Sequence, residues 1–128
     1  MEKVQFLIEK LIADSAKDCL IIVEGQKDYR ALRQLGIPGR ILTAKTSRKS
    51  FLDLTAEIEK HSSPQLILLL DFDRRGKELT NRLVRQLETM RVKTNKAYWE
   101  ELQMLIGRDV KDIEGIPAYI TTLSRKLA

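Results

Sequence analysis

The segment LILLLDFDRRGKE, residues 66–78, passes from a continuous apolar run into two acids and then into basic residues. A second apolar run, CLIIV at residues 19–23, is followed by the pair Glu24-Gly25. Neither run alternates polar with apolar residues, as a strand with one solvent-facing side would. Continuous runs of about five apolar residues are typical of parallel strands that helices cover on both faces. The two runs therefore predict an α/β fold with a buried parallel sheet.

The segments between these runs have helical periodicity. Residues 76–90 place Leu79, Leu83 and Leu87 at intervals of four, and Ser50 is a suitable N-cap for the helix that follows it. The alternation of helices and strands predicts right-handed crossovers and a doubly wound sheet. The predicted helices are 2–14, 27–35, 50–60, 76–90, 97–107 and 117–126, and the predicted strands are 19–23, 40–44, 66–70 and 91–95.

Length and composition narrow the class of protein. At 128 residues, the chain is expected to form a single domain, residues 1–128, with its first and last helices packed on the central sheet. The net charge of +5 favours an anionic partner, with nucleic acid ahead of a membrane surface.

The single cysteine, Cys19, excludes an internal disulfide and indicates a reducing compartment. Glu9 and Lys10 interrupt the first apolar stretch, and no stretch approaches the roughly 18 apolar residues of a membrane span. We therefore expect a cytoplasmic protein without membrane contact.

Acidic residues follow both apolar runs, at the edge where open α/β sheets bind their ligands. If the first and third predicted strands are neighbours, Glu24, Asp71 and Asp73 meet in one crevice. Carboxylates without nearby His or Cys favour a hard cation, Mg²⁺ or alternatively Mn²⁺. The alternative role for Asp73 is to cap the helix at 76–90. Two acid-glycine turns after two buried strands favour a site over two separate caps.

Basic residues are expected at the same edge. Cations in AKTSRKSF, residues 44–51, suit phosphate contacts, and a solvated loop is the alternative interpretation. Arg82 and Arg85 would continue a basic stripe along the helix at 76–90, or form a solvated helix face. Because glycine has no side chain, the backbone at Gly25 and Gly76 could approach an anion closely or turn tightly into a helix. The low aromatic content, 5%, argues against a single-strand binder built on aromatic stacking. The predicted phosphate-binding residues are Gly25, Lys27, Lys45, Arg48, Lys49, Arg74, Arg75, Gly76 and Lys77.

The motif VEG at residues 23–25, together with LDFDRRG at 70–76, resembles the Toprim domain. Topoisomerases, bacterial-type primases, OLD-type nucleases and ribosomal-RNA maturase nucleases share that domain. The resemblance covers residues 18–95, and Asp28 extends it to the pattern VEGxxD. It implies a compact Rossmann-like fold with a four-stranded parallel sheet. The sequence has no tyrosine-bearing cleavage domain and no zinc-ribbon cysteines, so it is most similar in organisation to the small stand-alone members and the maturase nucleases.

The resemblance also implies roles for individual residues. Glu24 would act as general acid/base, and Asp71 and Asp73 would hold Mg²⁺, with Glu24 as a further ligand. Asp28 would have a supporting, structural role. The implied activity is Mg²⁺-dependent phosphoryl transfer on a nucleic-acid backbone, carried out by a nuclease that acts on structured RNA or DNA.

Two questions stay open at this point. Asp109, Asp112 and Glu114, within RDVKDIEG at residues 108–115, are candidates for a third acidic metal-binding position, or else belong to a solvated turn. The alternative to an enzyme is a non-catalytic Toprim module that binds nucleic acid or a protein partner within a larger DNA-repair or RNA-processing assembly.

Overall fold

A computed structural model describes residues 2–45, 50–61 and 65–127. Its helices and strands alternate along the first two thirds of the chain, as the apolar pattern predicts. The strands are β1 (Cys19–Val23), β2 (Arg40–Thr43), β3 (Gln65–Leu68) and β4 (Thr94–Asn95). The helices are α1 (Glu2–Ser15), α2 (Gln26–Gln34), α3 (Phe51–His61), α4 (Arg74–Thr89), α5 (Ala97–Ile106) and α6 (Ile116–Leu127), with a 3₁₀ turn at Ile113–Gly115.

The four strands form one parallel sheet in the order β2-β1-β3-β4. From β1 the chain winds first to β2 on one side and then returns to β3 on the other side. The winding direction therefore reverses between β1 and β3, which pair directly through Ile22 and Leu68. This arrangement confirms the predicted parallel, doubly wound sheet, and it confirms that the first and third strands are neighbours. The carboxyl ends of β1 and β3 consequently lie side by side.

Helices cover both faces of the sheet, which explains why its strands are continuously apolar. Ile21 and Val23 face a core that includes residues of α1, α2 and α5, whereas Leu20 and Ile22 face a second core that includes residues of α3 and α4. Because successive side chains of a strand point to opposite faces, one run of five apolar residues supplies both cores. β3 and the two residues after it, Leu69 and Leu70, do the same.

Several predicted boundaries are wrong. The predicted strand 91–95 is reduced to Thr94–Asn95, because α4 ends at Thr89 and Arg91 adopts a left-handed backbone conformation with φ 62°. α4 begins at Arg74, two residues earlier than predicted, because Asp73 caps it. β3 ends at Leu68, although the N–H of Leu69 still donates to the carbonyl of Ile22 at 2.8 Å. The remaining predicted elements agree with the structure to within one or two residues at each end.

The C-terminal third of the chain packs against α1, α2 and β3. α5 contacts α1 and β3, and the hydroxyl of Tyr98 in α5 donates to the carboxylate of Asp14 in α1. The 3₁₀ turn and α6 contact α2. Within the described ranges, no helix is both long enough and apolar enough to cross a membrane.

Candidate active site

Glu24 is the first residue after β1, and its carboxylate is held on both sides. Its side chain is buried, with 7% of the residue exposed. Oε1 accepts a hydrogen bond from the backbone N–H of Asp71 at 3.3 Å, and Oε2 accepts one from Nζ of Lys45 at 3.1 Å. The first bond crosses from the residue after β1 to the segment after β3, because these two strands are neighbours. The two predicted site acids therefore lie together at the switch point.

Asp71 is the third residue after β3, and its carboxylate is only partly satisfied. Its Oδ1 is buried and has no hydrogen-bond partner among the described residues. Burial first, and then the charges of Glu24 and Asp28, raise the pKa of the Asp71 carboxyl to about 7. Trp99 holds the backbone from the other side, since its Nε1–H donates to the carbonyl of Asp71 at 3.4 Å. A buried carboxylate oxygen without a donor is the kind of group that a bound cation would satisfy.

Gly76 allows the start of α4 to pack directly on Asp71. A Cβ at position 76 would lie 2.0 Å from the carbonyl oxygen of Asp71, so no other residue fits without moving the backbone. Gly25 differs, because its backbone is extended (φ −145°) and a Cβ there would meet nothing within 4 Å. The predicted close approach of backbone thus occurs at Gly76 within the protein itself. At Gly25 the structure instead leaves open space beside Glu24.

Asp73 points to the helix that follows it. Its Oδ1 accepts a hydrogen bond from the N–H of Gly76 at 2.8 Å, which makes Asp73 the N-cap of α4. The side chain is exposed, and Oδ2 makes no hydrogen bond to another described residue. Across residues 2–45, 50–61 and 65–127, no three His, Cys, Asp or Glu side chains form a cluster able to hold a metal ion. The structure therefore brings Glu24 and Asp71 together, and gives Asp73 the capping role named above as its alternative.

Asp28 lies beneath the site and joins two distant segments. Its Oδ2 accepts the N–H of Gly25 at 3.0 Å, and its Oδ1 accepts the N–H of Glu114 at 3.1 Å. The residue is buried, and burial raises the pKa of its carboxyl above the usual range. Both oxygens are occupied by backbone donors, so the contacts of Asp28 are structural.

The segment RDVKDIEG contributes its backbone to the site instead of its carboxylates. Asp109 is exposed and accepts from the hydroxyl of Tyr119 at 3.2 Å, and Asp112 caps the 3₁₀ turn by accepting from the N–H of Gly115 at 2.9 Å. By contrast, the carbonyl of Lys111 accepts the N–H of Phe72 at 2.8 Å. Residue type did not reveal this contribution, because backbone groups are the same in every residue. The sequence also contains no sign of the hydrogen bond from Trp99 to Asp71, because the helical spacing of Trp99 indicates only a core position.

Basic residues surround a cleft of about 390 Å³ beside Glu24. Lys45, Arg75 and Arg82 line this cleft, together with Glu78 and Leu79. Arg74 instead pairs with Glu78 on the surface, at 3.1 Å between Nε and Oε1. Lys27 and Lys77 are exposed on α2 and α4 and do not line the cleft. Arg48 and Lys49 lie outside the described residues. Among the predicted cations within the described ranges, the structure thus places Lys45 and Arg75 beside Glu24.

Comparisons with known proteins identify similar chains. The family model described as the Toprim domain matches residues 18–97. A UPF0292 protein of Methanosarcina acetivorans is 29% identical over 126 residues, which cover 98% of this chain and 85% of that protein. A UPF0292 protein of Methanocaldococcus jannaschii is 32% identical over 120 residues, which cover 93% of this chain and 91% of that protein.

A solved structure shares the fold. The structure of a protein from Aquifex aeolicus superposes with a TM-score of 0.72, covering 87% of this chain and 95% of that one, at 22% sequence identity. At this identity the likeness establishes the arrangement of helices and strands alone.

Proposed function

Because the chain belongs to the Toprim domain family, we propose that it is a metal-dependent nuclease that cleaves the backbone of structured RNA or DNA. Toprim domains as a family process nucleic acids and bind Mg²⁺ through acidic side chains. The observation that carries the proposal is the Glu24–Asp71 pair at the switch point of the sheet, where a buried oxygen of Asp71 lacks a hydrogen-bond donor. A protein that only bound nucleic acid would gain nothing from carboxylates there, since they repel phosphate.

Asp71 and the free oxygen of Asp73 are the groups that would hold the ion, which is Mg²⁺ or alternatively Mn²⁺. Oxygen-only ligands suit these hard cations, and a cation would relieve the burial of the Asp71 carboxylate. When bound, the ion would supply charge stabilisation to a phosphodiester undergoing attack. The capping bond of Asp73 uses Oδ1 only, so capping and metal binding are compatible in the same side chain.

Glu24 would move a proton to or from the attacking or leaving oxygen. Its carboxylate is buried and oriented by the backbone N–H of Asp71, so it is positioned before substrate arrives. Lys45 holds the second oxygen through one of its three N–H donors, and its side chain is 59% exposed. The remaining donors of Lys45, with the guanidinium of Arg75 across the cleft, would orient phosphate oxygens near Glu24.

The test is a cleavage assay with labelled structured RNAs and DNAs, with and without Mg²⁺ or Mn²⁺. We expect metal-dependent cleavage that falls at least about 100-fold in Glu24→Gln, because a positioned acid/base contributes about 10²–10⁴-fold. Asp71→Asn should lose both cleavage and metal binding, the latter measured by isothermal titration calorimetry. Asp109→Asn is the matched acid-to-amide control on the surface and should resemble the wild-type protein.

Two results would change the proposal. Metal-dependent cleavage that survives both Glu24→Gln and Asp71→Asn would contradict the assigned site. Nucleic-acid binding without cleavage under any metal would instead support the non-catalytic module.

A further inference from the structure

A second groove extends the cleft of the candidate active site along α4. The cleft beside Glu24 has a volume of about 390 Å³, and the groove between the start of α3 and α4 has a volume of about 610 Å³. Arg82 lines both, so the two depressions share a wall. A strand that leaves the cleft along α4 therefore passes next over Arg82 and into the second groove.

The walls of this path are basic. Arg75, Arg82 and Arg85 lie along α4, and the ten helical steps from Arg75 to Arg85 span about 15 Å at the helical rise of about 1.5 Å per residue. The acid Glu78 in the first cleft is already paired with Arg74. The described residues that line the second groove include no Asp or Glu. The groove is thus suited to a chain of phosphates.

Arg82 also offers a flat surface to a base. Its guanidinium carbon lies 3.9 Å from the ring centroid of Phe51, so the side chain is stacked on an aromatic ring that α3 holds half-buried. Arg82 is exposed, so its side chain is accessible to a ligand from solvent. Unpaired bases stack on arginine planes as they do on aromatic rings. A pre-stacked arginine therefore supplies the stacking surface that the low aromatic content of the chain otherwise lacks.

We propose that the groove formed by Phe51, Arg82 and Arg85 binds an unpaired strand that leads to the candidate active site. This inference rests on the proposed function and names the form of substrate that the site accepts. One base stacks on Arg82, and neighbouring phosphates pair with Arg75 and Arg85. A stacked strand rises about 3.4 Å per nucleotide and an extended one rises more, so 15 Å of groove accommodates at most roughly four nucleotides. A duplex keeps its bases stacked on each other and cannot present one to Arg82.

The experiment measures binding by fluorescence anisotropy in EDTA, which separates strand binding from metal-dependent cleavage. The probes are labelled single-stranded RNAs and DNAs of 2, 4, 8 and 12 nucleotides, roughly bracketing the expected footprint, and the matching duplexes. We expect affinity for single strands to rise up to about four nucleotides beyond the cleft, and Arg82→Ala to weaken it about tenfold. Arg82→Lys keeps the charge but not the plane, so it should recover less than half of that loss on a logarithmic scale.

Two further variants complete the design. Phe51→Leu leaves every charge in place but removes the ring under Arg82, and it should weaken single-strand binding several-fold. Arg125→Ala removes one exposed arginine from the last turn of α6 and should change affinity less than twofold.

The outcomes separate the inference from the proposed function. Equal losses in Arg82→Ala and Arg125→Ala, full recovery in Arg82→Lys, or tighter binding of duplexes than of single strands would overturn the groove. If Glu24-dependent cleavage is present while the groove variants bind and cut like the wild-type protein, the inference fails and the proposed function stands. If the wild-type protein neither binds nor cuts any probe, both fail.

Discussion

At the scale of single residues, Asp71 combines a tight backbone fit with an unsatisfied side chain. Its carbonyl contacts Gly76 and Trp99, and its N–H donates to Glu24. The backbone is thus fixed by three neighbours, whereas the carboxylate is buried with one oxygen unpaired. When the carboxylate of such a residue is ionised and no cation is bound to it, its burial lowers the free energy of unfolding of the protein. A bound cation raises that free energy again.

The pH dependence of stability should report this cost. The pKa of Asp71 is raised to about 7, whereas the unfolded value is near 3.8. Between these values the folded protein holds a proton that the unfolded chain releases, so the free energy of unfolding falls as pH rises from about 4 to about 7. Urea denaturation in EDTA across this range should show the fall in the wild-type protein and a smaller one in Asp71→Asn. A stability that rises with pH more steeply in the wild-type protein would contradict the assignment.

Replacing Gly76 by alanine should destabilise the protein, whereas the same change in most helices stabilises it. Glycine to alanine inside an exposed helix normally stabilises by up to about 1 kcal/mol. Here the new Cβ would lie 2.0 Å from the carbonyl of Asp71, so we expect Gly76→Ala to lower the free energy of unfolding by about 1–3 kcal/mol.

Gly25→Ala is the matched control for this change. Its Cβ would meet nothing within 4 Å, so its stability should change by less than about 1 kcal/mol. Chemical denaturation of both variants checks the prediction, and equal losses at the two glycines would refute it.

At the scale of elements, the beginning of α4 serves both the helix and the site. Asp73 caps the helix, Gly76 packs it on Asp71, and Arg75 lines the cleft beside Glu24. The D-x-D-x-x-G spacing therefore follows from helix capping and close packing as well as from any metal. Helix capping and metal binding require different properties of the side chain. A cap requires one oxygen that accepts a hydrogen bond, whereas a ligand of Mg²⁺ at this position requires a negatively charged carboxylate.

Substitutions at Asp73 should separate the two demands. Asp73→Ser keeps a capping oxygen, so its free energy of unfolding should stay within about 0.5 kcal/mol of the wild-type value, whereas Asp73→Ala should lose about 1 kcal/mol. Both variants remove the carboxylate, so both should bind Mg²⁺ at least about tenfold more weakly if Asp73 is a ligand. Thermal denaturation measures the first effect and calorimetry the second. Wild-type metal affinity in Asp73→Ser would assign the residue to the helix alone.

At the scale of the whole molecule, the last quarter of the chain completes the site that residues 24–76 build. Asp28 binds the N–H groups of Gly25 and Glu114, and Lys111 accepts the N–H of Phe72. These bonds join segments that are far apart in sequence, so the shape of the site depends on the complete fold.

Asp28→Ala should show this dependence. The substitution leaves two backbone N–H groups without their acceptor, so we expect a loss of about 2–3 kcal/mol in the free energy of unfolding. Hydrogen exchange should become faster at Glu114 and remain slow within β1. Asp112→Ala, which removes only the cap of the 3₁₀ turn, is the control and should lose about 1 kcal/mol. Unchanged exchange at Glu114 in Asp28→Ala would show that this bond does not hold the segment.

The sequence by itself determined the sheet and the position of the acids. Two continuous apolar runs predicted buried parallel strands, because only helices on both faces can cover side chains that alternate between two cores. Glu24 and Asp71 followed from their places at the strand ends. The length of β4 was not predictable, because the end of α4 and the backbone of Arg91 determine it.

The tertiary structure alone decided which partner each of these side chains contacts. Asp73 turned to Gly76, Asp28 to Glu114, and Arg82 onto Phe51. A carboxylate or a guanidinium has the same identity whether it caps a helix, binds a ligand or stacks on a ring. Which of these it does depends on the donors and surfaces that the folded chain brings within a few ångströms, and local sequence does not encode those distances.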